Sequence, residues 1–85
     1  MGRPEKVIKR FAEISKGFTW DEFVKVMAHF GFNELQTGKT GGSRRKFVDE
    51  HKNVISLHKP HPQHIMKRYA IKEALTTLKR LGHKL

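Results

Sequence analysis

The chain has 85 residues, 36% of them hydrophobic and 31% charged, so it suits one small domain and is too apolar for a disordered basic tail. The chain contains eighteen Lys and Arg residues but only eight Asp and Glu residues, which gives a net charge of +10. Such a charge favours a polyanionic partner, and nucleic acid is a better candidate than a membrane surface or an acidic protein. The lack of cysteine excludes disulfides, thiol catalysis and Cys-based zinc sites. Because the N-terminal residues also do not form an apolar leader, we expect a cytoplasmic protein without membrane association.

The first predicted element is a short helix between Pro4 and Gly17. Val7, Phe11 and Ile14 have helical spacing, and proline and glycine suit the two ends. We therefore expect residues 1–16 to form an N-terminal helical extension and residues 17–85 to form the main domain.

A second helix is predicted to begin at Thr19. The run from Thr19 to Glu22 has the pattern of a capping box, in which both side chains bind backbone N–H groups at a helix start. Its apolar stripe comprises Trp20, Phe23, Val24, Met27 and Phe30. We interpret this stripe as core packing, and Gly31 suits the end of the helix.

Strands are expected next, at residues 32–36, 44–49 and 54–58, joined by a Gly-rich loop over residues 37–43 and a turn over residues 50–53. Pro60 and Pro62 then prevent regular pairing, and apolar spacing predicts a final helix that Gly82 ends. The order is α-β-β-β-α after an extra N-terminal helix. It predicts an α+β fold with two helices on one face of a three-stranded antiparallel sheet, whose other face is open to solvent.

The segment from about Phe18 to Leu81 resembles the HicA family. Five features carry the resemblance: Trp20-Asp21-Glu22-Phe23 opening a helix, Gly31-Phe32 closing it, Gly42-Ser43 four residues before Phe47, the run His58-Lys59-Pro60-His61-Pro62, and a last helix ending in Leu-Lys-Arg-Leu-Gly. The resemblance implies a fold like that of double-stranded-RNA-binding domains, a toxin that cuts mRNA, and a HicB antitoxin that neutralises it.

One position departs from the family pattern. The family's Gly-Ser pair is usually followed by a histidine that is regarded as catalytic, whereas Ser43 is followed by Arg44. Metal-free RNA cleavage needs groups that take up and release protons, and histidine titrates near the required pH. Arg44 can bind a phosphate or stabilise an anionic transition state, but it stays protonated and cannot act as a base.

The densest basic patch surrounds this position. Alternation in a strand places Arg44 and Lys46 on one face and Arg45 on the other, and backbone N–H groups of a Gly-rich loop suit phosphate. The alternative interpretation is a solvated run of charges. The predicted RNA-binding residues are Lys39, Gly42, Ser43, Arg44, Arg45, Lys46 and Lys59.

Acid–base chemistry, if present, must come from another histidine. His61 is the first candidate because it lies in the family-like His-Pro run, and His58 is the second, with Arg44 stabilising charge. The prolines prevent a helix from aligning these histidines on a metal, so neither a metal nor another cofactor is expected. Tyr69 is interpreted as a partly buried anchor of the last helix and not as a base-stacking residue.

The leading hypothesis is thus a toxin of a type II toxin–antitoxin pair that binds and cleaves mRNA and is neutralised by a HicB-like antitoxin. Two alternatives stay open because the family histidine is absent. One is a non-catalytic RNA- or DNA-binding module, and the other is a basic protein-interaction domain.

Overall fold

The computed structural model describes residues 4–35, 44–60 and 64–85. The helices are α1 (Pro4–Ala12), α2 (Trp20–His29) and α3 (Arg68–Arg80), and the strands are β1 (Asn33–Glu34), β2 (Arg44–Val48) and β3 (Val54–His58). The predicted α+β class and the order α-β-β-β-α after an extra helix are confirmed.

Both ends of α2 form as the sequence predicts. The Glu22 N–H donates to Thr19 Oγ1 at 3.1 Å, and the Thr19 N–H donates to Glu22 Oε1 at 3.0 Å, which completes the capping box. At the other end Gly31 takes φ +85°, and the Phe32 N–H donates to the Met27 carbonyl at 2.8 Å. This is a Schellman motif, in which a left-handed residue lets the next amide satisfy a carbonyl of the last turn.

Helix α1 ends earlier than its apolar spacing predicts. The left-handed residue after its last turn is Ile14, at φ +52°, and the Ser15 N–H donates to the Arg10 carbonyl at 3.0 Å. A β-branched residue disfavours this conformation, so local propensity did not predict it. Ile14 packs against the core, and this burial compensates for the backbone cost.

The three strands form an antiparallel sheet in the order β1-β2-β3. Strand β1 is shorter than the predicted residues 32–36, although the Leu35 N–H still donates to the Lys46 carbonyl at 2.8 Å. Strand β2 stops at Val48 because the next residue, Asp49, forms turn hydrogen bonds with Asn53. The Asp49 N–H donates to the Asn53 carbonyl, and the Asp49 carboxylate accepts from the Asn53 N–H. In the β2–β3 register, Arg44 lies opposite His58 and Lys46 lies opposite Ser56.

One face of this sheet is buried under the helices. It presents Phe47, Ile55 and Leu57 to the core, where Phe47 contacts the rings of Trp20 and Phe23 at centroid distances of 5.6 and 5.3 Å. The opposite face presents Arg44, Lys46, Ser56 and His58 to solvent. The predicted open face of the sheet is therefore present, and it is polar and basic.

The extra helix shares this core. Phe11 of α1 is fully buried and contacts the rings of Phe18 and Phe23 at 5.8 and 6.1 Å. Arg10 forms an ion pair with Glu22 and also lies over the Phe18 ring. Within the described ranges, no helix is long and apolar enough to cross a membrane.

Candidate nucleic-acid interface

A groove runs between β3 and α3, where the open face of the sheet meets the last helix. Its strand side is lined by Arg44, Ser56 and His58. Its helix side is lined by Tyr69, Glu73 and Thr77, which are spaced by four residues and therefore share one face of α3. The volume of about 270 Å³ is at the lower end for small-molecule pockets, and an open groove along a strand suits an extended chain better.

Arg44 is held in this groove by two side chains of β3. Its Nε donates to Ser56 Oγ at 3.1 Å, and its guanidinium lies 3.1 Å from Nε2 of His58, the residue directly opposite in the register. A guanidinium has more N–H donors than these two bonds use, so Arg44 retains the capacity to bind a phosphate. Strand pairing thus orients a phosphate-binding group beside an imidazole.

The contact with Arg44 also fixes the hydrogen-bonding role of His58. Arginine only donates hydrogen bonds, so Nε2 of His58 is the acceptor in this contact. The Nε2 lone pair is directed at Arg44, so Nε2 can accept a proton from a bound hydroxyl once Arg44 turns to a bound phosphate.

The other predicted basic residues of β2 lie on different sides of the sheet. Lys46 is exposed on the open face with Arg44. Arg45 lies on the opposite face, where its Nε is 3.1 Å from Glu34 Oε2 of β1. Part of its charge is therefore balanced within the protein, and Arg45 and Arg44 do not form one surface.

A second groove adjoins the first and shares His58 and Tyr69 with it. Lys59 and Lys67 also line this groove, with Met66 buried behind them. Two main-chain bonds hold its floor against the start of α2: the Trp20 N–H donates to the His64 carbonyl and the Met66 N–H donates to the Phe18 carbonyl, both at 2.8 Å. The chain that follows the His-Pro run is thereby fixed beside His58.

Four of the predicted site residues lie outside the described parts of the chain: His61, Lys39, Gly42 and Ser43. The structure brings the others together in part, with Arg44, Lys46 and His58 on one face and Lys59 beside them. In residues 4–35, 44–60 and 64–85, no group of three or more His, Asp or Glu is arranged to hold a metal ion.

The prediction for Tyr69 was wrong. We expected a partly buried anchor, but 59% of this residue is exposed, because Ile71, Ala74 and Leu75 occupy the buried side of α3. Sequence reasoning also missed Glu73 as a groove residue. The available signal was the spacing of Tyr69, Glu73 and Thr77 along the polar side of a helix, which does not reveal what that side faces.

A third groove near the β2–β3 turn has the opposite character. Its charged side chains are Glu34, Asp49 and Glu50, accompanied by His51 and His83. The side-chain hydrogen bond from Asn53 is the main cause that lowers the pKa of Asp49 below its ordinary value of 3.8. Acidic side chains therefore cluster at the turn end of the sheet, and Arg44 lies at the other end of β2.

Together, the α+β fold and the basic open face define a small domain with a surface suited to a polyanion. The family model for the HicA toxin of bacterial toxin–antitoxin systems matches residues 20–82, which is most of the chain. The chain therefore belongs to the HicA toxin family, and the resemblance noted in the sequence is confirmed. No curated protein and no solved structure matches the chain.

Proposed function

We propose that this protein is the toxin of a type II pair and that it binds and cleaves mRNA in the groove between β3 and α3. The observation that carries the proposal is the 3.1 Å contact between Arg44 and His58. Arg44 occupies the position at which the family pattern has its histidine. His58 therefore supplies an imidazole within hydrogen-bond distance of that position, although it comes from the neighbouring strand.

Binding of RNA is supported by the charges of the open face. Arg44 and Lys46 project from one side of β2, and Lys59 continues the basic surface beyond β3. These side chains would contact the phosphate backbone, which supplies most of the affinity for nucleic acid without specifying its sequence.

Cleavage requires two proton transfers. The ribose 2′-oxygen attacks the adjacent phosphorus as its proton leaves, and the departing 5′-oxygen takes up a proton when its bond to phosphorus breaks. When Arg44 turns from His58 to the phosphate, it can stabilise the charge that develops on the phosphate oxygens, and it leaves Nε2 of His58 able to accept the first proton. We assign the second transfer to His61, the first candidate from the sequence, because a protonated imidazole can donate the proton that the departing oxygen needs.

A HicB-like antitoxin is the proposed protein partner, because the family consists of toxins from toxin–antitoxin pairs. A protein that covers the open face would place its own groups on Arg44 and Lys46 and so exclude RNA from the groove. Induction of this chain alone should then stop bacterial growth while RNA is degraded, and coexpression of a cognate HicB-like protein should restore growth.

The cleavage proposal is tested with labelled RNA and purified variants. His58→Ala and His61→Ala should each slow cleavage by about 10² or more while RNA binding stays close to that of the wild type, because they remove proton transfer but leave the phosphate contacts. Glu73→Gln tests in the same assay whether the carboxylate on the opposite wall of the groove contributes. Lys25→Ala, at an exposed position of α2, is the control and should cleave normally.

Two results would contradict the assignment. Cleavage that survives the loss of both His58 and His61 would place the chemistry elsewhere. Tight RNA binding by the wild type without any cleavage would favour the non-catalytic binding module, and Arg44→His would then show whether the family's own residue restores activity at this position.

A further inference from the structure

Tyr69 stands apart from the other large aromatic side chains of the described residues. Phe11, Phe18, Trp20, Phe23, Phe32 and Phe47 are all buried in the core, and Phe30 is partly buried against it, whereas 59% of Tyr69 is exposed. Within the part of the chain that the structure describes, the side chain of Tyr69 takes part in no hydrogen bond or ring contact. Its ring therefore contributes little to the fold and is available to a ligand.

The position of Tyr69 links the two grooves of the open face. It lines the groove between β3 and α3 together with Arg44, and it lines the adjoining groove together with Lys59 and Lys67. His58 lines both grooves as well. An exposed ring thus lines both grooves, with Arg44 in one and Lys59 and Lys67 in the other, on the helix wall that faces the proposed reaction centre.

We propose that Tyr69 is a stacking platform for one unpaired base next to the scissile phosphate, so that the protein selects single-stranded or looped RNA. This inference rests on the proposed function, since it places the base beside the phosphate that Arg44 would bind. Aromatic rings flanked by basic side chains are a common solution for binding single strands, because every base offers a face for stacking while the cations contact the backbone.

The ring also determines which form of RNA fits. In a duplex both faces of each base are covered by neighbouring bases, so a base can stack on Tyr69 only after it leaves the helix. A fold that resembles double-stranded-RNA-binding domains would then act on single strands because of one exposed side chain on α3. The stacked base would hold the adjacent ribose in place, which lowers the entropic cost of aligning its 2′-oxygen with phosphorus.

The test compares the binding of one RNA sequence as a single strand and as a blunt duplex. Tyr69→Ala should weaken single-strand binding about tenfold or more, and Tyr69→Phe should retain it, because the ring and not the hydroxyl forms the stack. Tyr69→Leu is the matched control that keeps apolar area without a ring, and it should behave like the Ala variant. Duplex binding should change little in all three variants.

An RNA with one abasic nucleotide identifies the contact directly. If Tyr69 stacks on a base, removing that base should weaken wild-type binding and should make wild type and Tyr69→Ala equal. Equal single-strand binding by wild type, Tyr69→Ala and Tyr69→Leu would overturn the inference. If Arg44→Ala still weakened binding in that case, the proposed function would stand without it. A wild type that binds no RNA would overturn both.

Discussion

At the scale of single residues, Arg44 changes what the family position can do. A guanidinium is planar and permanently charged, and it binds a phosphate in a defined orientation, but it does not exchange protons near neutral pH. Its contacts with Ser56 and His58 limit its rotamers before any ligand arrives. The position thus provides an oriented positive charge, and the proposed proton transfer is assigned to His58 on the neighbouring strand.

The open face should dominate the salt dependence of RNA binding. Arg44→Ala combined with Lys46→Ala should lower affinity for most RNA sequences and reduce the slope of log affinity against log salt by about 0.7 for each lost phosphate contact. Arg45→Ala should have a smaller effect, since Arg45 is paired with Glu34 on the other face. Lys25→Ala removes one positive charge from α2, away from the open face, and serves as the control. A double variant with an unchanged slope would remove this face from the interface.

At the scale of elements, the β2–β3 turn determines which side chains meet in the groove. In an antiparallel pair the register follows from the turn, and a slip by one residue would move every side chain to the other face. Here the Asp49 carboxylate accepts hydrogen bonds from the His51 and Asn53 amides and from the Asn53 side chain at 2.8–3.0 Å. This turn therefore fixes the pairing of Arg44 with His58 at the far end of the hairpin.

The same turn should show a defined pH dependence. The pKa of Asp49 is lowered in the folded protein, so its stabilising effect is fully present above the unfolded value near 3.8 and is lost as the pH falls through the lower folded pKa. A nuclear magnetic resonance titration should give Asp49 a midpoint below 3.8 in the wild type. Asn53→Ala should move the midpoint upwards, because it removes the side-chain donor. A wild-type midpoint at or above the ordinary value would contradict this account.

At the scale of the whole molecule, α1 and the segment matched by the family model share one hydrophobic core. The match begins at residue 20, so α1 lies before it. Yet Phe11 is fully buried against Phe18 and Phe23, and Arg10 pairs with Glu22 of the α2 capping box. Helix α1 therefore covers the start of α2, which in turn holds the chain beside the second groove.

Removal of this contact should destabilise the entire domain. Phe11→Ala should lower the free energy of unfolding in urea by about 3–5 kcal/mol, since it leaves a cavity beneath α1. Lys9→Ala, at an exposed position of the same helix, should change it by less than about 0.5 kcal/mol.

The predicted division at residue 16 is tested by deleting residues 1–16. Unchanged stability of the shortened chain would show that the extension is separable, and the buried Phe11 leads us to expect a large loss.

Local signals in the sequence account for most of the fold. The capping box at Thr19, the glycines at positions 31 and 82 and the alternation in β2 and β3 each act over a few residues, so their outcome does not depend on distant contacts. Ile14 is the exception, because its left-handed backbone is compensated by packing against residues that the local sequence does not identify.

The sequence by itself determined the family, the basic character and the face on which Arg44 and Lys46 lie. It could not determine what stands opposite that face. The contact of Arg44 with His58 depends on the hairpin register, and the positions of Tyr69 and Glu73 in the groove depend on how α3 lies along β3. Both follow from packing between segments that are distant in the chain. Spacing within one helix or strand defines which side chains share a face, and only tertiary contacts decide which of those faces meet.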